Sequence, residues 1–356
     1  MASILQSLWS YAHLPAVVVW ETLTTTYAPY NKHRSLRRIV YDSIDRYNTN
    51  ASSIPALESK QGVGSTFDVY KEWMGKNGMP LVVDELGGEP AARLLWVGPR
   101  RVENVILVLH GGGFAFPATS AHISFWNYVR LQMEKKGLMP GIAVLQYSLW
   151  PDVDFPTPLN QLCQAIQLLF AAGLKPSHLQ IAGDSAGGHL ALQLLSHVLH
   201  PHPSVPVLTL AEPIRAVYPL SPWTGLLGET ASHDENDKID CVNKEVLVWL
   251  GRRITQGFPD EYLAFAEAMK APSGWFEGAE RVVDSIVITA GEKECLRDDI
   301  LVFGEIIKKN HGKVEVVVQP GGLHVDMFLD FAAGEKEDRL GMLTPLLLDR
   351  LIAACT

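Results

Sequence analysis

Cysteine is scarce, with four residues (Cys163, Cys241, Cys295 and Cys355) in a chain of 356. They show no CxxC spacing and have no histidine companions, which argues against a zinc site. They are also too sparse for a disulfide scaffold, so reduced thiols in a cytoplasmic protein are expected, with one structural disulfide as the alternative. Basic charge is short as well: 30 Lys and Arg stand against 39 Asp and Glu, for a net charge of −9. With no run of Lys and Arg interleaved with aromatics, a nucleic-acid partner is not expected, because phosphate binding needs a basic surface. Internal repeats and low-complexity segments are missing. Long apolar runs are nearly so: the stretch from Ile4 to Trp20 is interrupted by Gln6, His13 and Pro15 and followed by Glu21. It is short for a bilayer span and lacks the basic start and small-residue cleavage site of a secretory signal. Lys32, Arg34, Arg37 and Arg38 lie just after it, an arrangement that also suits a helix lying on anionic lipid. Two readings therefore stay open for the N-terminus: a lid or cap element, or a peripheral membrane contact.

What the chain does have is apolar material, 47% of its residues against 19% charged, enough for a large core. Two β-rich runs, Leu81–Leu86 and Ala91–Val97, flank Gly87-Gly88-Glu89-Pro90 and predict a hairpin. Short apolar runs follow at Val105–Leu109, Ile142–Gln146, Leu179–Ala182, Ala216–Pro219, Ile286–Thr289 and Val314–Val318, which suit strands buried on both faces of a parallel sheet. Between or after them, Phe125–Lys136, Leu159–Ala171, His189–Leu199, Ile300–Asn310 and Met342–Ala353 put apolar residues on one face at helical spacing. The expected class is α/β, a mostly parallel central sheet flanked by helices. The segment 224–280 breaks the rhythm, polar at first and then aromatic through Trp249, Phe258, Tyr262, Phe265, Trp275 and Phe276, and predicts an inserted helical cap. The expected organisation is an N-terminal cap segment (1–50), a first core part (51–223), the inserted cap (224–280) and a second core part (281–356).

Gly183-Asp184-Ser185-Ala186-Gly187, followed by Gly188, sits where the run Leu179–Ala182 ends and a helix begins. A serine hydroxyl becomes a useful nucleophile when a sharp strand-to-helix turn holds it within reach of a base, and glycines two before and two after leave room for that turn. His110-Gly111-Gly112-Gly113-Phe114 directly follows the run Val105–Leu109. A tetrahedral oxyanion needs preorganised donors, and the N–H groups of Gly112, Gly113 and Ala186 are the candidates. No GxGxxG or GxxxxGK[ST] pattern points to a nucleotide instead. His110 is read as bracing this loop. His324, in the loop after Val314–Val318, is the candidate base, because that loop leaves the sheet edge on which Ser185 sits. A carboxylate in the loop after Ile286–Thr289 would orient the imidazole. Glu294 fits best, with Glu292, Asp298 and Asp326 as alternatives; Asp298 and Asp299 also suit a helix N-terminus. Phe114, Phe116, Trp150 and Trp223 are candidates for the lining of an apolar pocket.

With His110-Gly-Gly-Gly-Phe114, Gly183-Asp-Ser-Ala-Gly-Gly188, Glu294-Cys-Leu-Arg-Asp-Asp299 and His324 in this order, and Tyr147-Ser-Leu-Trp-Pro151 between the first two, the chain resembles the hormone-sensitive-lipase-like esterases of the α/β-hydrolase superfamily over roughly residues 95 to 350. The resemblance implies an α/β-hydrolase fold with a helical cap partly built from the N-terminus. It implies a triad of Ser185, Glu294 and His324 with an oxyanion hole at Gly112, Gly113 and Ala186, and no metal or organic cofactor. Family members typically carry Asp where Glu294 stands; glutamate is an accepted third member in this fold. The activity implied is hydrolysis of a small-molecule ester through an acyl-enzyme, with a short acyl group on a bulky apolar alcohol, such as a natural product or sterol, as the expected substrate. Two alternatives are carried: acyl transfer or cyclisation by the same serine, and ligand binding without turnover. Product analysis separates them.

Overall fold

The computed structural model describes residues 2–49, 54, 64–256 and 258–355. Its centre is an eight-stranded sheet in the order β1-β2-β4-β3-β5-β6-β7-β8. β1 (Val83–Leu86) and β2 (Ala92–Trp96) form the predicted antiparallel hairpin, and β2 continues antiparallel onto β4 (Gly141–Gln146). The rest is parallel: β3 (Val105–Leu109), β5 (Leu179–Asp184), β6 (Ala216–Leu220), β7 (Ile286–Gly291) and β8 (Val314–Gln319).

Alternation along these strands explains the layers. Val105, Leu107 and Leu109 of β3 point into one core, with Ile181 of β5 and Ile288 of β7. Helices Thr157–Ala171, Ala186–Leu199 and Arg297–Lys308 cover that face through Leu162, Leu190 and Phe303. Ile106 and Val108 point to the other core, covered by helices Ser120–Lys135 and Leu343–Ala353 through Trp126 and Leu347. A strand apolar on both faces has no other stable place than between two helical layers.

Leu36–Asn48 lies within the N-terminal segment expected to form part of a helical cap, and Thr66–Lys76 and Asp326–Ala333 lie outside the sequence expectations. The first two carry capping serines, Ser35 accepting from the N–H of Arg38 and Ser65 pairing with Asp68 in a capping box. The stretch 224–280 is short helices and turns, and its longest helix, Lys244–Ile254, buries Val246, Leu247 and Leu250 in the same core as the sheet.

The N-terminal helix Ala2–Thr25 contains Pro15, and no helix among the described residues is long and apolar enough to cross a membrane. Val19, Trp20 and Leu23 are exposed on it. Of the cations expected to face lipid, however, Arg34 and Arg38 are buried. Arg38 bonds Asp42 (2.6 Å), Asp326 (2.7 Å) and Asp330, and Arg34 bonds Asp326 (2.7 Å). Buried carboxylates therefore take up these two guanidinium groups, while Lys32 and Arg37 stay exposed.

Candidate active site

Loops leaving the carboxyl ends of the parallel strands converge on one place, as expected of a sheet whose strand order reverses at its centre. Ser185 stands between β5 and the helix Ala186–Leu199 at φ 51° and ψ −115°. Such a backbone costs on the order of 1–3 kcal/mol and persists only where its surroundings enforce it. They do: the N–H of Ser185 donates to the carbonyl of Leu220 (2.9 Å), and its carbonyl accepts from His189 (2.9 Å) and Trp223 (3.1 Å). Gly187 is needed for close approach, since a Cβ there would collide with the carbonyls of Leu109 and His110. The four non-glycine residues with positive φ among those described, Phe114, Ser185, Ser221 and Val325, all follow parallel strands and surround this site.

The glycine loop after β3 turns at Gly112, φ 103°, where a Cβ would strike the Phe116 carbonyl. Gly112's carbonyl accepts from Ala115 (3.0 Å) and Phe116 (2.8 Å), which closes the loop. Among the described residues no acceptor takes the N–H of Gly112 or Gly113, so both donors are free for a ligand. His110 is buried and stacked on Tyr147 at 4.4 Å, with Nε2 3.0 Å from Thr66 Oγ1 and Nδ1 2.7 Å from the Gly111 carbonyl. Burial pushes its imidazole down to about 4. It holds loop to helix and has no free nitrogen for a substrate.

His324 is buried, and burial pushes its imidazole down to about 4, so it is neutral and free to accept a proton at ordinary pH. Its Nδ1 has no hydrogen-bond partner and lies 3.9 Å from Oε2 of Glu294, whose Oε1 is also unpartnered. Oε2 accepts from Ser221 Oγ (2.6 Å) and the N–H of Gly291 (2.9 Å). Burial, with Asp240 nearby, pushes the Glu294 carboxyl well above the usual carboxylate range. Each unpaired buried group costs about 1–3 kcal/mol, and a shift of about 1 Å joins them at charge-assisted hydrogen-bond distance.

The alternative acids are committed elsewhere. Glu292 accepts from the N–H of Gly321 (2.7 Å), Asp298 from the N–H of Ser232 (3.0 Å), and Asp299 lies 2.9 Å from His233 Nε2. Asp326 is taken by Arg34, Arg38 and the N–H of Leu323 (3.1 Å). Sequence reasoning missed Asp240. This buried carboxylate accepts from the N–H of Cys241 and of His324 (both 2.8 Å) through Oδ1, and from that of Cys295 (2.7 Å) through Oδ2. It ties the loop of Glu294 to the loop of His324, and no motif marks it.

Ser185, His324, Gly112 and Gly113 share a cavity of about 830 Å³. Phe116 and Trp223 line it, as expected; Phe114 and Trp150 do not. Phe114, turned by its positive φ, packs edge-on to Tyr147 and His189, and Trp150 packs edge-on to Trp249 at 5.8 Å. Both border a separate gap of about 30 Å³. The remaining walls come from the helices Leu36–Asn48 (Tyr41, Asp45), Thr66–Lys76 (Val69, Trp73), Lys244–Ile254 (Val246, Leu250) and Asp326–Ala333 (Phe328, Leu329).

Comparison with known proteins bears on the family and the fold. The chain is 26% identical over 233 residues to an acetyl-hydrolase of Streptomyces hygroscopicus, covering 65% of this chain and 71% of that protein. It is 34% identical over 90 residues to the carboxylesterase/phospholipase LipF of Mycobacterium tuberculosis, a match spanning 25% of this chain and 23% of LipF. An esterase from the bacterial hormone-sensitive lipase family superimposes with a TM-score of 0.66 at 21% identity, over 91% of this chain and 99% of its own, which establishes the fold. A family profile described as alpha/beta hydrolase fold matches residues 106–328, more than half of the chain. The chain therefore belongs to the alpha/beta hydrolase fold family, among whose members it resembles the hormone-sensitive-lipase-like esterases.

Proposed function

We propose that the protein is a serine carboxylesterase that cleaves a short acyl group from a bulky, largely apolar alcohol through an acyl-enzyme. His324 removes the Ser185 proton as Oγ attacks the ester carbonyl, and the oxyanion forms against the N–H groups of Gly112, Gly113 and Ala186. His324 then protonates the leaving alcohol, and water, activated by the same imidazole, releases the acid. Glu294 holds the Nδ1 proton in place and offsets the imidazolium charge as their contact shortens. In this reading residues 1–50 and 224–280 together form the cap, and residues 51–223 and 281–356 the catalytic core.

The observation that carries the proposal is the strained Ser185 sharing one cavity with the neutral His324, whose unpaired Nδ1 lies 3.9 Å from the carboxyl of Glu294. The names of the relatives, an acetyl-hydrolase and a carboxylesterase/phospholipase, point the same way. A volume of about 830 Å³ suits a drug-sized substrate. The gap beside Phe114 and Trp150, about 30 Å³, is too small to take a long acyl chain.

The test is a panel of esters varied separately in acid and alcohol, run against wild type and Ser185→Ala. Turnover of p-nitrophenyl acetate is expected to vanish in Ser185→Ala while circular dichroism stays unchanged. Undiminished hydrolysis by that variant overturns the proposal.

A further inference from the structure

One wall of the cavity carries polar groups that ester cleavage itself does not use. Tyr41, Asp45, Asn48 and Thr49 recur at helical spacing on the helix Leu36–Asn48 and its C-cap, and all four face the cavity. Thr49 Oγ1 donates to the carbonyl of Asp45 (2.8 Å) and to that of Cys241. Cys241 in turn donates through Sγ to the carbonyl of His324 (3.4 Å), so this polar wall abuts the His324 loop.

The carboxyl group of Asp45 has no hydrogen-bond or ion-pair partner among the described residues, and neither has the Tyr41 hydroxyl. The nearby cations are occupied. Arg38 is held by Asp42, Asp326 and Asp330, and Arg46 by Glu21 (3.3 Å) and the Ile239 carbonyl (3.0 Å). The other groups that act on Asp45, Asp42 and Asp240, are themselves acidic. Asp45 is half-buried and lines the cavity, and the protein packed around it, with Asp42 beside it, pushes the carboxyl up to about 7. A lone acid in such surroundings weakens the fold. Groups of this kind persist where a ligand completes them.

We propose that Asp45, with Tyr41 beside it, is a recognition subsite for a hydrogen-bond donor, a hydroxyl or an ammonium group, carried on the alcohol half of the ester. The inference rests on the serine-esterase reading of the same site. His324 must face the leaving oxygen to protonate it, so the alcohol lies on the His324 side of Ser185, where Cys241 and the Asp45 wall stand. The substrate is thus apolar over most of its surface and carries a donor away from the scissile bond. Substrates lacking that donor leave the acid unsatisfied, which is how a polar site discriminates.

The experiment compares cyclohexyl acetate with its trans-4-hydroxy and trans-4-amino counterparts, following acetate release by wild type, Asp45→Leu and Asp45→Asn. Wild type is expected to prefer a donor-bearing ester by about tenfold to a hundredfold in kcat/KM, the range of one charge-assisted hydrogen bond. In Asp45→Leu the ratio is expected to fall to about one. Asp45→Asn is expected to keep a preference for the hydroxyl ester and lose one for the amino ester, which separates the two donors. Melting temperatures are measured on the same proteins, and Asp45→Leu is expected to be at least as stable as wild type. Equal rates on all three esters in wild type, or an unchanged ratio in Asp45→Leu, overturn the subsite and leave the esterase reading standing. A marked loss of stability in Asp45→Leu assigns the residue to the fold and overturns it too. No turnover of any ester by wild type overturns the esterase reading, and the subsite with it.

Discussion

Glu294 and His324 stand 3.9 Å apart, each with an unpaired buried atom that the other can satisfy. The competing carboxylates have already spent their lone pairs on backbone amides, guanidinium groups or His233. Glu294→Gln is therefore expected to lower kcat by about three to four orders of magnitude, the scale seen when an acid that orients a catalytic histidine becomes an amide. Asp298→Asn is expected to lower it far less, and steady-state kinetics on one chromogenic ester decides between them. A reversed ranking moves the acid to Asp298. At this scale Ser185, His324, Gly112 and Gly113 were readable because each sits in a motif with its own backbone demands. Asp240 was not. It lies in a polar stretch, and its importance comes from two amides, of Cys295 and His324, that are distant in sequence and meet only in the folded chain.

The helix Leu36–Asn48 shows the same limit one level up. Leu36, Ile39, Val40, Ile44 and Tyr47 recur at helical spacing, but that stripe does not announce that the charged Arg38 and Asp42 are almost fully buried. Their partners, Asp326 and Asp330, begin the helix that follows His324. Against the cost of burial, Arg38 and Arg34 hold the Asp326 carboxyl down at about 2. The network thus fastens one cavity wall to the loop of the candidate base. Removing its central cation leaves several acids uncompensated, so Arg38→Ala is expected to destabilise the protein by roughly 3–5 kcal/mol. Urea unfolding monitored by tryptophan fluorescence measures it, and a loss below about 1 kcal/mol would show the network to be replaceable by water. Strand ends tell a milder story. β5, β6 and β7 run on through Asp184, Leu220 and Gly291, past the apolar runs, because the sheet buries them there regardless of side chain.

Over the whole molecule, burial drives two sets of groups in opposite directions. His110, His189 and His324 are pushed down to about 4, so the unfolded chain takes up protons below about 6.5 that the folded one refuses, and stability falls as pH drops through that window. Burial pushes Asp240 and Asp330 up to about 6 and Asp45 up to about 7. There the folded state holds protons that the unfolded chain has released, so stability is lost as pH rises towards 7. The two trends oppose each other between about 4 and 6.5, three histidines against three acids. Asp45→Asn removes one of the acids, so from pH 5 to pH 7 its melting temperature is expected to rise more, or fall less, than that of the wild type. A calorimetric series giving both proteins the same pH profile contradicts the assignment.

By itself the sequence determined the fold class and the succession of strands and helices along the chain, because strands apolar on both faces and helices apolar on one face have few ways to bury both. It also determined which loops carry the serine, the imidazole and the glycine donors, since those positions need backbone shapes that few residues adopt. Only the tertiary structure decided which acid was left free to meet His324, that Phe114 and Trp150 turn away from the cavity, and that Arg34 and Arg38 serve the core instead of a surface. Those outcomes depend on charges and hydrogen-bond partners brought together from distant parts of the chain, and local patterning carries no record of such partners.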